Sequence, residues 1–129
     1  MTDYPVVIAS SEPSDSQALR GLLAERGLNA MCFSTVKETR DSLAGNNVSI
    51  VFCEQRLADG SFRDLLMAAK KSKPQAFVIV TSRTDDSEVS REAMRMGAYE
   101  VLPSPCSPGD VDWVVIRALR EWRQRQKQS

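Results

Sequence analysis

The groups that could do chemistry sit at the ends of apolar runs. In "SIVFCEQRLADGS" (49–61) such a run ends in a carboxylate, Glu54, followed by a polar turn closed by Asp59-Gly60. A carboxylate at the mouth of a buried strand either takes part in a reaction or is held by partners, because burying it bare is costly. Ser10, Ser11 and Glu12 follow "PVVIA" (5–9), Ser82 follows "AFVIVT" (76–81), and Ser104 follows "YEVL" (99–102) just before Pro105. The 129 residues contain no histidine. That removes Ser-His-Asp and Cys-His nucleophile pairs, histidine metal sites and any phosphohistidine carrier role.

Five apolar strand candidates alternate with five amphipathic helix candidates. The strands are 5–9, 29–33, 48–53, 76–81 and 99–102. The first helix is expected over 13–26, with Pro13 in its first turn, Gly27 at its exit and an apolar face of Ala18, Leu19, Leu22 and Leu23. The second, over 35–45, opens on Thr35-x-x-Glu38, a capping-box spacing, and ends at Gly45. The third is expected over 62–72, the fourth over 86–96 with Gly97 as its stop, and the last from about 109 into the tail. Continuous apolar strands alternating with helices predict a parallel sheet covered on both faces, a doubly wound five-stranded α/β three-layer sandwich. In such sheets ligands gather outside the carboxyl ends of the strands, so the turns carrying Ser10, Glu54, Ser82 and Ser104 should converge.

Composition narrows the function classes. Seventeen basic and seventeen acidic residues cancel, so no bulk field draws the chain to nucleic acid or anionic lipid. The longest apolar runs, such as "FVIV" and "WVVI", are too short to span a bilayer, and the N-terminus has no secretory pattern. A cytoplasmic location is the expectation. Cys32, Cys53 and Cys106 are odd in number and lack CxxC spacing, and they read as unpaired packing residues.

Residues 5–122 resemble the receiver domains of two-component response regulators, whose fold is called flavodoxin-like or CheY-like. "VVIASSEPSDSQALRGLLAERG" resembles the first strand and helix, "SIVFCEQRLADG" the phosphoacceptor strand and loop, and "VIVTSRTDD" the fourth strand. "AMRMGAYEVLPSPCSP" resembles the Gly-Ala, fifth-strand and Lys-Pro segment. The resemblance implies a signalling module rather than an enzyme. In it an aspartate ending the third strand accepts a phosphoryl group, two acids after the first strand hold Mg²⁺, and a lysine after the fifth strand adds positive charge. A Ser/Thr after the fourth strand and an aromatic residue in the fifth act as the switch.

Carried onto this chain, the phosphoacceptor position is Glu54, the acid pair is Ser10 and Ser11, and the lysine is Ser104. The aromatic position is Val101, the switch hydroxyl is Ser82, and Pro105 keeps the proline, with a cis Ser104–Pro105 bond implied. Neutral serines cannot replace a carboxylate pair around Mg²⁺, so metal binding is expected to be lost or weak and no resident cofactor is expected. Glutamate carries its carboxylate about 1.5 Å further than aspartate, and misplacement on that scale costs about a hundredfold in a positioning-limited reaction. The expectation is a receiver that signals without phosphorylation, with Glu54 either a solvated loop-end acid without a role or a fixed negative charge supported by Ser82 or Ser104. The alternatives are phosphorylation through displaced acids, and a flavodoxin-like use of the hydroxyl-rich "ASSEPSDS" loop to bind flavin.

An inert site moves function to a surface. Val111, Val114, Val115, Ala118, Leu119 and Trp122 form a helical stripe expected on the sheet, with Trp113 and Ile116 to one side. Those two either widen the buried face or form a partner or homodimer surface with the fourth helix and fifth strand, as receivers commonly do. From Arg117 the helix turns basic, which complements its dipole. Direct nucleic-acid binding by this domain is not expected. Residues 123–129 read as a tail or as the start of a linker to an output domain.

Overall fold

The computed structural model describes residues 5–83 and 87–128. The main sheet contains β1 (Val6–Ala9), β2 (Ala30–Phe33), β3 (Ile50–Glu54), β6 (Phe77–Ser82) and β7 (Glu100–Pro103). Its order is β2-β1-β3-β6-β7 and every pairing is parallel. This is the doubly wound flavodoxin-like order, whose direction reverses at β1 and β3. The helices are α1 (Pro13–Ala24), α2 (Val36–Gly45), α3 (Phe62–Lys71), α4 (Ser87–Arg95) and α5 (Pro108–Gln128). The start of α4 expected at 86 lies outside the described residues.

Two apolar layers flank the sheet, as period-two alternation requires of strands covered on both faces. Val7, Val51, Val78 and Val80 face one layer with Phe62, Leu65 and Leu66 of α3 and Val89 and Ala93 of α4. Val6, Ile8, Ile50, Phe52 and Ile79 face the other with Leu19 and Leu23 of α1. The α5 stripe joins that second layer: Val111, Val114, Val115, Ala118 and Trp122 are buried, and Leu119 is half-buried. Among the described residues no helix is long and apolar enough to cross a membrane.

Local chemistry sets the element ends. Gly27 and Gly97 adopt φ of +75° and +102° after α1 and α4, conformations open to glycine at little cost. Thr35 caps α2 by accepting the Glu38 N–H at 3.1 Å, but the return half of the expected box differs, because the Thr35 hydroxyl itself donates to Glu38 Oε1. A second cap on α2 comes from far along the chain: Asp59 accepts the Val36 and Lys37 N–H groups at 2.6 and 3.0 Å. Asp59 lies in a small hairpin, β4 (Arg56–Leu57) with β5 (Gly60–Ser61), where the sequence predicts only a polar turn. A full capping box of Ser61 and Asp64 then starts α3.

Three expected burial assignments are corrected. Ala18 is exposed, and buried Ser16 takes its place on α1, because the face toward the sheet is centred on Leu19 and Leu23. Cys32 is exposed, since β2 is an edge strand covered less completely than the central ones. Trp113 and Ile116 do not widen the buried face of α5; they are 36% and 54% exposed.

Candidate functional site

β1 and β3 run side by side with Ala9 opposite Cys53, so the residues after them emerge together at the sheet's carboxyl end. Ser10 Oγ donates to Glu54 Oε1 at 2.7 Å. The backbone N–H and the hydroxyl of Ser11 both donate to Glu54 Oε2 at 3.2 Å. Ser10 Oγ also accepts the Glu12 N–H at 3.1 Å, so one hydroxyl shapes the turn into α1 and holds the carboxylate. Ser10 is buried and Glu54 half-buried. Donors on both oxygens are what a partly buried carboxylate needs, and bonds to an ionised acceptor are the stronger kind.

Support for Glu54 was expected from Ser82 or Ser104, and the structure corrects this. Thr81 is the residue paired with Glu54 in the ladder. Side chains alternate along a strand, so Ser82 points to the other face, where its hydroxyl donates to Gln55 Oε1 at 3.3 Å. Ser104 donates its backbone N–H to the Ser82 carbonyl at 2.9 Å. The Ser104–Pro105 bond is cis, as is Lys73–Pro74. Val101 is half-buried in β7.

Two hollows border Glu54. A small one of about 30 Å³ is lined by Ser10, Asp15, Ser104 and Cys106 among others. A more open one of about 230 Å³ is lined by Ser11, Glu12, Gln55, Arg56, Thr81, Arg83 and Ser104. Ser10, Ser11, Glu54 and Ser104 therefore do converge. None of the residues lining the larger hollow is aromatic, so nothing there would sandwich a flavin ring. Arg83 forms an ion pair with Asp15 in the first turn of α1. Arg83 follows the last residue of β6 and lines the same hollow as Thr81; Arg83, Asp15 and Gln55 carried no signal in the sequence.

Mg²⁺ demands anionic or neutral oxygens turned toward it as acceptors. Here the Ser10 and Ser11 hydroxyls point their protons at Glu54. Among the described residues no group of three or more His, Cys, Asp or Glu is arranged to hold a metal. The donor set does not fit Mg²⁺ in the manner the resemblance implies. The cysteines offer no activated nucleophile nearby. Burial, with Glu54 and Asp64 adding to it, pushes the Cys53 thiol up. Partial burial, with Asp110 and Asp15 nearby, raises Cys106 to about 11.

Away from the pocket, Arg117 of α5 stacks over Trp113 at 5.2 Å and over Tyr99 at 5.7 Å, and the Trp113 indole N–H reaches Asp110 at 3.5 Å. These contacts hold Trp113 in place, and Ile116 is exposed three residues further along α5.

No family model matches the chain. Over 120 residues, 93% of its length, it is 28% identical to the response regulator protein PilR of Pseudomonas aeruginosa, of which it covers 27%. It spans about a quarter of the length of the curated relatives it matches. In structure it resembles the signal receiver domain of a LuxO repressor protein from Vibrio parahaemolyticus, with a TM-score of 0.91 at 12% identity over 99% of this chain and 98% of that one. It also resembles the beryllofluoride-activated NtrC4 receiver domain, solved as a dimer, with a TM-score of 0.85 at 22% identity over 92% and 98%. The chain is thus similar in sequence to response regulators along nearly its whole length, and it has the fold of their receiver domains.

Proposed function

We propose that this receiver works without a phosphoryl group, as a protein-interaction or dimerisation module whose switch is held in one state by Glu54. The observation that carries this reading is the pairing of the Glu54 carboxylate with Ser10 and Ser11. Phosphoryl transfer to a receiver relies on an in-line carboxylate oxygen and on cations that neutralise the incoming group. Here both carboxylate oxygens accept protein donors, and hydroxyls occupy the acid-pair and lysine positions. The domain is thus a signalling part rather than an enzyme, with no need of Mg²⁺, acting in the cytoplasm.

The surface assigned to the partner or second copy is α4, β7 and α5, with Trp113 and Ile116 as anchors, because they are large, apolar and open. One relative is a DNA-binding transcriptional regulator about a quarter of which this chain spans. An output domain joined beyond α5 is part of the proposal, and nucleic acid would be met by that domain.

The test is incubation with acetyl phosphate and Mg²⁺ followed by intact mass. No adduct is expected; a stable gain of one phosphoryl mass refutes the reading. A second reading, phosphorylation through displaced acids, has one observation in its favour: Glu12 and Glu54 border the same hollow. The same experiment decides between them. The combined variant Ser10→Asp, Ser11→Asp, Glu54→Asp, Ser104→Lys is the positive control, expected to recover Mg²⁺-dependent labelling.

A further inference from the structure

Three contacts at the sheet's carboxyl end belong together. Ser10 and Ser11, after β1, hold Glu54 at the end of β3. Gln55, the next residue, accepts the Ser82 hydroxyl at the end of β6, and its N–H donates to the Thr81 carbonyl at 3.1 Å. Arg83, next after Ser82, pairs with Asp15 in the first turn of α1, four residues after Ser11. Glu54–Gln55, Ser82–Arg83 and Ser11–Asp15 are joined through the chain, so the contacts close on themselves.

We infer that this closed circuit is a built-in conformational lock, which fixes the exit of β6 against α1 without metal or phosphate. The chemistry of each link supports that role. The Asp15 carboxylate sits at a helix N-terminus, where negative charge is favoured, and its side chain is 18% exposed. Arg83 is 57% exposed, so its link is the weak and salt-sensitive one. The Glu54 link is the strong one, with three donors on one carboxylate. β6 leads toward α4, and α4 packs on β7, so the circuit controls the elements proposed above as the partner surface. The lock rests on that reading only in taking the pocket to be free of phosphate. The acetyl phosphate test on wild type can fail or succeed independently of it.

Amide hydrogen exchange of the full chain, read on peptides covering β6 and α4, tests the lock. Arg83→Gln and Asp15→Asn should each speed exchange there about two- to fivefold, the range of an exposed ion pair. Arg83→Lys should stay near wild type, and raised salt should speed wild type but not Arg83→Gln. Because breaking either end opens a circuit, Glu54→Gln combined with Arg83→Gln should match the larger single effect rather than the product of the two. Unchanged exchange in Arg83→Gln overturns the inference. So does an Arg83→Lys variant that behaves like Arg83→Gln, and so do single effects that multiply in the double variant. Arg83 is largely exposed and Glu54→Gln is nearly isosteric, so folding itself is not at stake in these variants.

Discussion

Replacing Glu54 by glutamine asks how much the pairing at the pocket contributes. The amide oxygen still accepts from Ser10 Oγ, now as a neutral bond in place of the 2.7 Å charge-assisted one. That exchange costs about 1 kcal/mol, the difference between charged and neutral hydrogen bonds. The amide NH₂ then faces the Ser11 backbone N–H, a donor against a donor, and loses a bond worth about 0.5–1.5 kcal/mol. Ser11 is exposed and water replaces part of this, so the sum is about 1–2 kcal/mol. Glu54→Asp keeps the charge but withdraws it by about 1.5 Å, which stretches the Ser10 bond to roughly 4 Å, beyond hydrogen-bond range. It should therefore destabilise about as much as glutamine does, although it is chemically the milder change. Urea unfolding followed by tryptophan fluorescence is a suitable assay, because Trp122 is buried and reports loss of the core. If both variants fall within about 0.5 kcal/mol of wild type, as surface substitutions usually do, Glu54 is only a solvated loop-end acid. Should Glu54→Gln also leave self-association and partner affinity unchanged, the fixed-charge reading fails with it.

Three further outcomes are expected. Asp59 is held below the usual carboxylate range chiefly by the Val36 N–H, with the Lys37 N–H and Arg40 adding to it. Its contribution is complete above the unfolded value and is lost as pH falls through the lower folded one, so Asp59→Asn should flatten the acid limb of stability below about pH 4, read by thermal melts across pH. A methyl group at Gly60 would collide with the Asp64 carboxylate and sit 2.9 Å from Val36 Cγ2. Gly60→Ala should therefore cost about 1–3 kcal/mol in urea unfolding. Iodoacetamide at pH 8 should modify exposed Cys32 first and leave buried Cys53 untouched. Cys106, raised to about 11, is only about a thousandth thiolate at that pH and should lag far behind, so rapid double labelling by intact mass would contradict the burial assigned here.

The repeating part of the fold was legible because the chain states it many times. Four- to six-residue apolar runs separated by helical stripes leave few arrangements other than a covered parallel sheet, and the buried stripe from Val111 to Trp122 was readable position by position. What escaped was information held between elements. Nothing in the pattern of "NAMCF" says that β2 is an edge, so Cys32 looked like a core residue. The cap that Asp59 places on α2 joins positions 23 residues apart and leaves no local trace. The β4–β5 hairpin has two residues per strand, too short for alternation to register. At the site, the strand pattern places the turns carrying residues 10, 11, 54 and 104 at one end of the sheet, but which hydroxyl meets Glu54 depends on strand register. A one-residue step turns a side chain to the opposite face, and that step separates Thr81 from Ser82.

The departures at the pocket have a common physical logic. In the pattern the chain resembles, three clustered carboxylates are balanced by a divalent cation and a lysine, and removing any one charge leaves the rest frustrated. Here the two acids after β1 are hydroxyls, the lysine is a hydroxyl, and a single carboxylate remains among those four positions. Such a carboxylate no longer needs a metal, but it still needs donors. Serines at 10 and 11 supply them only if the acid reaches across from β3, and the extra methylene of glutamate provides that reach. An aspartate at 54 would stop short of the hydroxyls, and aspartates at 10 and 11 would repel a glutamate instead of binding it. The long acid and the two serines therefore fit as a set. Single reversions toward the acidic pattern should each be worse than the starting chain, and only the combined change should restore a working metal site.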